Sequence, residues 1–224
     1  MAEVKVFKSI MERNDTAAMK NRKLMNGALC LNIMSSPGAG KTTLLEKMLM
    51  AARKKIKTAV IEGDVATSND AERIKKYTAP GAVYQIKTEN FGGGCHLDAK
   101  MITNALRKVG LPRKKYDLII IENIGNLICP AGFFLGEDKK VVIISVTEGD
   151  DKPLKYPGMF READLVIINK VDLLKHVKFS MRKVKENIKK INSRTDVLSL
   201  TATRMQDVKQ FTAWVEKQRQ NTAG

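Results

Sequence analysis

The residues with the plainest chemistry are Ser35-Ser36-Pro37-Gly38-Ala39-Gly40-Lys41-Thr42-Thr43, set between an apolar run, Ala28 to Met34, and a helix-forming run, Leu44 to Ala52. Strand, glycine-rich loop and helix in that order is the context a phosphate-binding loop requires. Glycine lets backbone N–H groups at Gly38, Ala39 and Gly40 curl around a β-phosphate, and the following helix adds unpaired donors and the positive end of its dipole. Lys41 is then placed to reach the β- and γ-phosphates, and the Thr42 hydroxyl to bind Mg²⁺. Ser35 stands where this pattern usually opens with glycine, so the match carries one substitution. A glycine-rich turn without a ligand is the bland alternative, but it explains neither flank.

The second signal is Asn169-Lys170-Val171-Asp172, at the end of an apolar run from Asp164 to Ile168. In this pattern the Asp172 carboxylate accepts hydrogen bonds from the N1–H and exocyclic amine of guanine, groups that adenine cannot present. The Lys170 stem packs along the base and Asn169 ties the loop to the phosphate loop. Discrimination is large because the wrong base leaves polar groups unpaired. Thr201-Ala202-Thr203 follows the run Asp196 to Leu200 and can lie over the base. The expected nucleotide is GTP.

Carboxylates for a metal ion come from two strand ends. Lys57 to Glu62 delivers Asp64 and, further on, Asp70. Either can serve Mg²⁺ or its water shell, while Asp70 can equally be the acid that opens a helix. Asp117 to Ile121 ends in Glu122, with Gly125 as a candidate sensor of the γ-phosphate.

Softer ligands stand nearby in sequence. Cys95-His96 follows a run from Ala82 to Ile86 and a glycine-rich stretch, and Cys129 follows Glu122 within one short loop. The tips of adjacent parallel strands lie close together, so the three can converge. The Cys-His pair reads as the opening of a helix, a place that lowers a thiol pKa. Together they form an incomplete tetrahedral zinc site, or a nickel site if nitrogen and oxygen donors join, and a dimer could complete it. Against this, lone cysteines are often inert. Cys30 reads as a core thiol and His176 as a surface residue.

Positioning these groups takes an α/β fold: a mostly parallel sheet flanked by helices, a P-loop NTPase. Strands are expected at 28–34, 57–62, 82–86, 117–121, 141–146, 164–168 and 196–200. Helices are expected at 5–25, at 44–52, at 178–191 and at 206–218, the last carrying Phe211 and Trp214. With 224 residues and no linker or repeat, a single GTPase domain over 1–224 is expected, residues 1–25 packing on it as an N-terminal helix. No run approaches the roughly 20 apolar residues that cross a bilayer, no signal-peptide segment is evident, and three cysteines form no disulfide framework. Those features fit the cytoplasm and no membrane partner. Lys and Arg number 40 against 24 acids, a net charge of +16. The basic clusters Arg53–Lys57, Arg113–Lys115 and Arg182–Lys190 have few aromatics among them. A solvated basic surface is therefore the reading, and a nucleic-acid partner is not favoured.

The segments SSPGAGKTTLLE, GDV…DAERI, CHLDA, ENIGNLICP, SVTEGDDKPLKYP and INKVDL, in this order, resemble the HypB family, GTPases of nickel–iron hydrogenase maturation. The resemblance runs from about Asn14 to the last helix. CHLDA and ENIGNLICP are its most specific parts. It implies a SIMIBI-type GTPase that hydrolyses GTP slowly, dimerises with GTP, and delivers nickel to the hydrogenase large-subunit precursor together with a HypA-type nickel chaperone. It also implies Lys41, Thr42, Asp70 and Glu122 at the phosphates and Mg²⁺, raising Asp70 over Asp64. Cys95, His96 and Cys129 then form a nickel or zinc site at the dimer interface, with Asn169, Lys170 and Asp172 on guanine. Some bacterial members carry a Cys-rich nickel motif near their N-terminus, and these segments include none. Two other readings are a metallocentre GTPase of the urease accessory type, whose Cys-Pro-His run is absent, and a basic RNA-associated GTPase with a structural zinc. No Gln or His stands out to position an attacking water, so low turnover is expected.

Overall fold

A computed structural model describes residues 2–65, 68–91 and 94–222. Part of two expected functional stretches, Ala66-Thr67 after the second strand and Gly92-Gly93 before Cys95, lies outside the described residues. In chain order the elements are α1 Ala2–Met25, β1 Leu29–Ser35, α2 Lys41–Ala52, β2 Thr58–Asp64, α3 Asn69–Lys75, β3 Val83–Lys87, α4 Ala99–Lys108 and β4 Leu118–Glu122. There follow β5 Lys139–Ser145, α5 Lys152–Lys155, α6 Pro157–Arg161, β6 Leu165–Asn169, α7 Met181–Ile191, β7 Asp196–Ser199 and α8 Met205–Thr222. The strands form one sheet in the order β3-β2-β4-β1-β5-β6-β7, every neighbouring pair parallel.

The central strands read as continuous apolar runs because helices cover both sheet faces. Alternate residues of β1 divide between them. Leu29, Leu31 and Ile33 pack with Leu45, Met48 and Leu49 of α2 and with Phe211 and Val215 of α8. Cys30 faces the other way, among Ile119, Ile121 and α4 residues Ile102 and Leu106. Burial and the nearby Glu137 and Asp138 carboxylates push the Cys30 thiol well above its ordinary pKa, so it is a small core side chain without metal chemistry. Further along the sheet, Val142, Ile144, Val166 and Ile168 pack under Phe160, Val184 and Ile188.

Helix α1 is fixed by two asparagines. Asn14 donates to Phe134 O (2.8 Å) and accepts from Ala99 N–H (3.0 Å). Asn21 donates to Ala99 O (2.8 Å) and Leu135 O (3.0 Å) and accepts from the Thr103 hydroxyl (2.6 Å). Both therefore lock α1 to the start of α4. Helix starts differ from the sequence reading: α1 and α2 begin three residues earlier than expected, α8 one residue earlier, and α7 and α4 later. Helix α7 begins at Met181, where the Ser180 hydroxyl accepts from Lys183 N–H (3.3 Å). Helix α4 begins at Ala99, because the Asp98 carboxylate accepts from Met101 N–H (2.7 Å) and caps it. Cys95-His96 therefore precedes the helix in a loop and gains nothing from its dipole.

Candidate functional site

All the strands of a parallel sheet point the same way, and the expected site residues gather at their C-terminal ends. There a cavity of about 600 Å³ is lined by residues 35–43, by Glu62, Asp64, Asp70 and Arg73, and by Gly125 and Lys170. The loop between β1 and α2 needs its glycines for two reasons. Gly38 (φ 73°) and Gly40 (φ 93°) occupy the left-handed region. A Cβ on Gly40 would also run into the Asn169 amide. Lys41 and Thr42 open α2 and turn toward the tip of β4. Lys41 Nζ lies 3.0 Å from Glu122 Oε1, and the Thr42 hydroxyl donates to the same oxygen (2.6 Å). Thr42 Oγ1 also lies 3.0 Å from Asp70 Oδ2. Thus the expected Mg²⁺ residues Thr42, Asp70 and Glu122 meet around one hydroxyl. Asp64, at the end of β2, lines the same cavity, with Oδ1 accepting from Val65 N–H (2.7 Å).

Two residues escaped the sequence reading. Glu62, facing Glu122 across the β2–β4 pairing, is buried (2% exposed). Burial first, then the carboxylates of Glu122 and Asp64, push its pKa up to about 8. A carboxylic acid beside a carboxylate holds a proton because both cannot ionise cheaply in one dry site. Glu62 Oε2 and Glu122 Oε2 are both buried without a hydrogen-bond partner among the described residues. Two orphaned acid oxygens, a threonine hydroxyl and Asp70 make an all-oxygen donor set suited to Mg²⁺ with its waters. The second is Arg73, which binds Glu46 of α2 (2.6 Å) and Asp70 (3.2 Å), so the acid on α3 is tied to the phosphate-loop helix. A buried acid ending an apolar strand was the available signal for Glu62. Arg73 gave none, since its partner Glu46 comes from another helix.

The Asn169–Asp172 loop, expected from the sequence to read guanine, is held by one side chain. Asn169 Nδ2 donates to Ala39 O (2.7 Å), while its Oδ1 accepts from Lys170 N–H (2.7 Å) and Ala202 N–H (2.9 Å). Lys170, in the left-handed region at φ 60°, donates from Nζ to Gly38 O (2.8 Å). Phosphate loop, Asn-Lys-x-Asp loop and Thr201-Ala202 thus share one node. Asp172 is exposed, and its Oδ1 accepts the Thr201 hydroxyl (3.0 Å).

Beyond Gly125, away from the phosphate loop, lies the second cluster. Among the described residues, the ligand atoms of Cys95, His96 and Cys129 all fall within 4.8 Å of one another. Cys95 Sγ is 2.9 Å from Cys129 Sγ and 3.9 Å from His96 Nδ1. The hydrogen bond between the thiols, then burial, raises the Cys95 pKa, the reverse of the helix-terminus expectation. Bonds of roughly 2.3 Å to two thiolates in a tetrahedron hold the sulfurs about 3.8 Å apart, so a metal entering here spreads the pair. Burial lowers the His96 pKa, favouring the neutral imidazole that binds metals. Its ring stacks on Phe133 at 4.0 Å between centroids, and the Asn126 amide donates to Cys95 O (3.3 Å). His176 is exposed and distant from this group in sequence, a surface residue as expected.

One short stretch joins the two sites. A Cβ on Gly125 would come within 3.2 Å of Pro37 Cα in the phosphate loop, while Asn126 and Cys129 touch Cys95.

Residues 29–199 match the family described as CobW/HypB/UreG, nucleotide-binding domain. The hydrogenase maturation factor HypB of Escherichia coli K12 is 43% identical over 221 residues, covering 98% of this chain and 73% of that protein. The probable HypB of Methanocaldococcus jannaschii is 41% identical over 214 residues, 95% of this chain and 94% of its own. The crystal structure of Helicobacter pylori HypB in complex with nickel superposes with a TM-score of 0.84 at 36% identity, covering 94% of this chain and 97% of that one. On these matches the chain belongs to the HypB family of hydrogenase maturation factors, and it is a P-loop GTPase.

Proposed function

We propose that this protein is a GTP-driven nickel chaperone of hydrogenase maturation, its nucleotide state setting metal binding and dimerisation. The observation that carries the proposal is the stretch Gly125–Cys129, which touches the phosphate loop at one end and Cys95 at the other. A γ-phosphate drawing Gly125 toward Pro37 would move Cys129 within the same loop. Coupling of this kind is reciprocal, so nickel must change GTP affinity by the factor that GTP changes nickel affinity.

In this reading residues 1–224 act as one GTPase unit. Gly38, Ala39, Gly40, Lys41, Thr42 and Thr43 bind the phosphates, and Asn169, Lys170, Asp172, Thr201 and Ala202 bind guanine. Thr42, Asp70 and Glu122 would hold Mg²⁺, whose role is to neutralise charge building on the β- and γ-phosphates. Arg73 keeps Asp70 turned toward Thr42. Lys41 leaves Glu122 for the phosphates, and Glu62 keeps its proton until positive charge arrives beside it. Cys95, His96 and Cys129 carry nickel as cargo, or zinc, with a ligand position left for exchange or for a second protomer. The partners are a second copy of the chain, a HypA-type nickel chaperone and the hydrogenase large-subunit precursor, in the cytoplasm. Turnover is low, since no Gln or His among the described residues lines the cavity to position the attacking water.

The test is a Ni²⁺ titration of metal-free protein followed by thiolate-to-nickel absorption, once with GDP and once with a non-hydrolysable GTP analogue, with light scattering for mass. A saturating band whose midpoint differs between nucleotides is expected. Equal nickel affinity in both states would refute the switch.

A further inference from the structure

Two basic clusters distant in sequence, Arg53–Lys57 and Arg113–Lys115, meet at the end of the sheet opposite the phosphate loop. The turns leading into β2, β3 and β4 enclose a groove of about 670 Å³ there. Its rim carries Arg53, Lys54, Lys57, Lys76, Lys114 and Lys115, all exposed. Among the described residues, no acidic side chain lines it and none of the six makes an ion pair. Asp117, in the adjoining cavity, is occupied by Lys57 N–H (2.8 Å) and by Arg219 (3.7 Å). Below the rim the groove is apolar: Leu49 and Ile56 are buried, and Tyr77 and Tyr116 are half-buried. Tyr116 is fixed by its hydroxyl donating to Val109 O (2.6 Å). The Lys114 stem lies against Gly110, with its Nζ near Gly81, bridging one end of the groove.

Six unneutralised cations around an apolar hollow repel one another until an anion arrives. We propose that this groove docks an acidic segment of a partner protein, with a large apolar side chain set between carboxylates. The apolar floor favours a peptide over a nucleic acid. A phosphate backbone needs only the basic rim, and both tyrosines are half-buried, one with its hydroxyl engaged, so neither offers an open stacking platform. Strands of this length, at about 3.3 Å per residue, separate the groove from the phosphate loop by roughly 20 Å. A segment docked here leaves the nucleotide and the Cys/His cluster free. The inference stands apart from the nickel proposal, since no residue is shared.

The test uses three fluorescein-labelled probes in anisotropy titrations on the full chain. They are a short peptide of Asp and Glu flanking a Leu-Phe pair, the same peptide with Ser for Leu and Phe, and an oligouridine of equal charge. The Leu-Phe peptide is expected to bind at low salt, and the Ser peptide about 10-fold more weakly for loss of the apolar anchor. The exposed double variant K54E/K115E is expected to weaken the Leu-Phe peptide by about 10-fold or more, with GTP hydrolysis unchanged. No peptide binding at low salt, equal binding by the variant, or equal binding of the Ser peptide would each overturn the proposal. Oligouridine binding more tightly than the peptide and lost in the variant would overturn it in favour of nucleic acid.

Discussion

The phosphate end of the site and the Cys/His cluster sit at the same edge of the sheet but are built by opposite means. At the phosphate loop, backbone geometry does the work. Two glycines sit at positive φ, Gly40 leaves no room for a Cβ beside Asn169, and Asn169 links three loops. The Cys/His cluster has an exposed Cys95, a ring stack, one amide contact and thiols that must part to admit a metal. The first is held in shape before any ligand arrives, whereas the second is loosely held, which suits the proposed exchange of a metal cargo. A site meant to keep its metal would be closed and satisfied in advance.

Breaking each region separately sharpens that contrast. Gly40→Ala forces a side chain into a left-handed position and into Asn169, and GTP affinity should fall by about 100-fold or more by calorimetry. Nickel binding should survive, and its loss would mean the two regions are not separable. Cys129→Ala should reduce nickel affinity by about 10- to 100-fold in a competition titration while GTP binding is kept.

Glu62→Gln probes the rigid side through pH. The Glu62 pKa is raised when folded, so the stability it lends is complete below the ordinary carboxylate range. That stability is lost as pH climbs toward about 8. Metal- and nucleotide-free wild type should therefore melt lower at pH 8 than at pH 6, by several degrees, and Glu62→Gln should flatten that slope. Equal slopes would mean Glu62 is ionised throughout. The smallest effect belongs to Phe133→Leu, which removes the ring under His96. A stack worth about 0.5–1.5 kcal/mol predicts a few-fold loss of nickel affinity with no change in GTP binding.

Much of this was legible in the chain because its signals are local. SSPGAGKTT and NKVD each carry their chemistry in consecutive residues, and the apolar runs around them set parallel strands within a residue or two. Asp98 misled the eye: CHLDA looks like a helix opening, but its cap lies at the fourth residue, leaving Cys95 and His96 in a loop. What stayed hidden depends on neighbours distant in sequence. The Glu62 pKa follows from the β2–β4 register, Arg73 from Glu46 on another helix, and the basic groove from three turns brought together. Composition could count the positive charges but could not gather them.

The Asn169 node has a further consequence for the proposed nucleotide cycle. Its contacts run between the Asn169–Asp172 and Thr201–Ala202 loops and Ala39 of the phosphate loop, a region that GDP and GTP would occupy alike in the proposed cycle. Free energy gained equally by two ligands cancels in the difference between them, so the guanine grip can set how long a nucleotide stays but not which state it signals. All of the proposed signal must then come from the opposite flank, where Asp70 and Gly125 line the same cavity. In the proposed cycle, memory and message thus fall to different halves of one cleft.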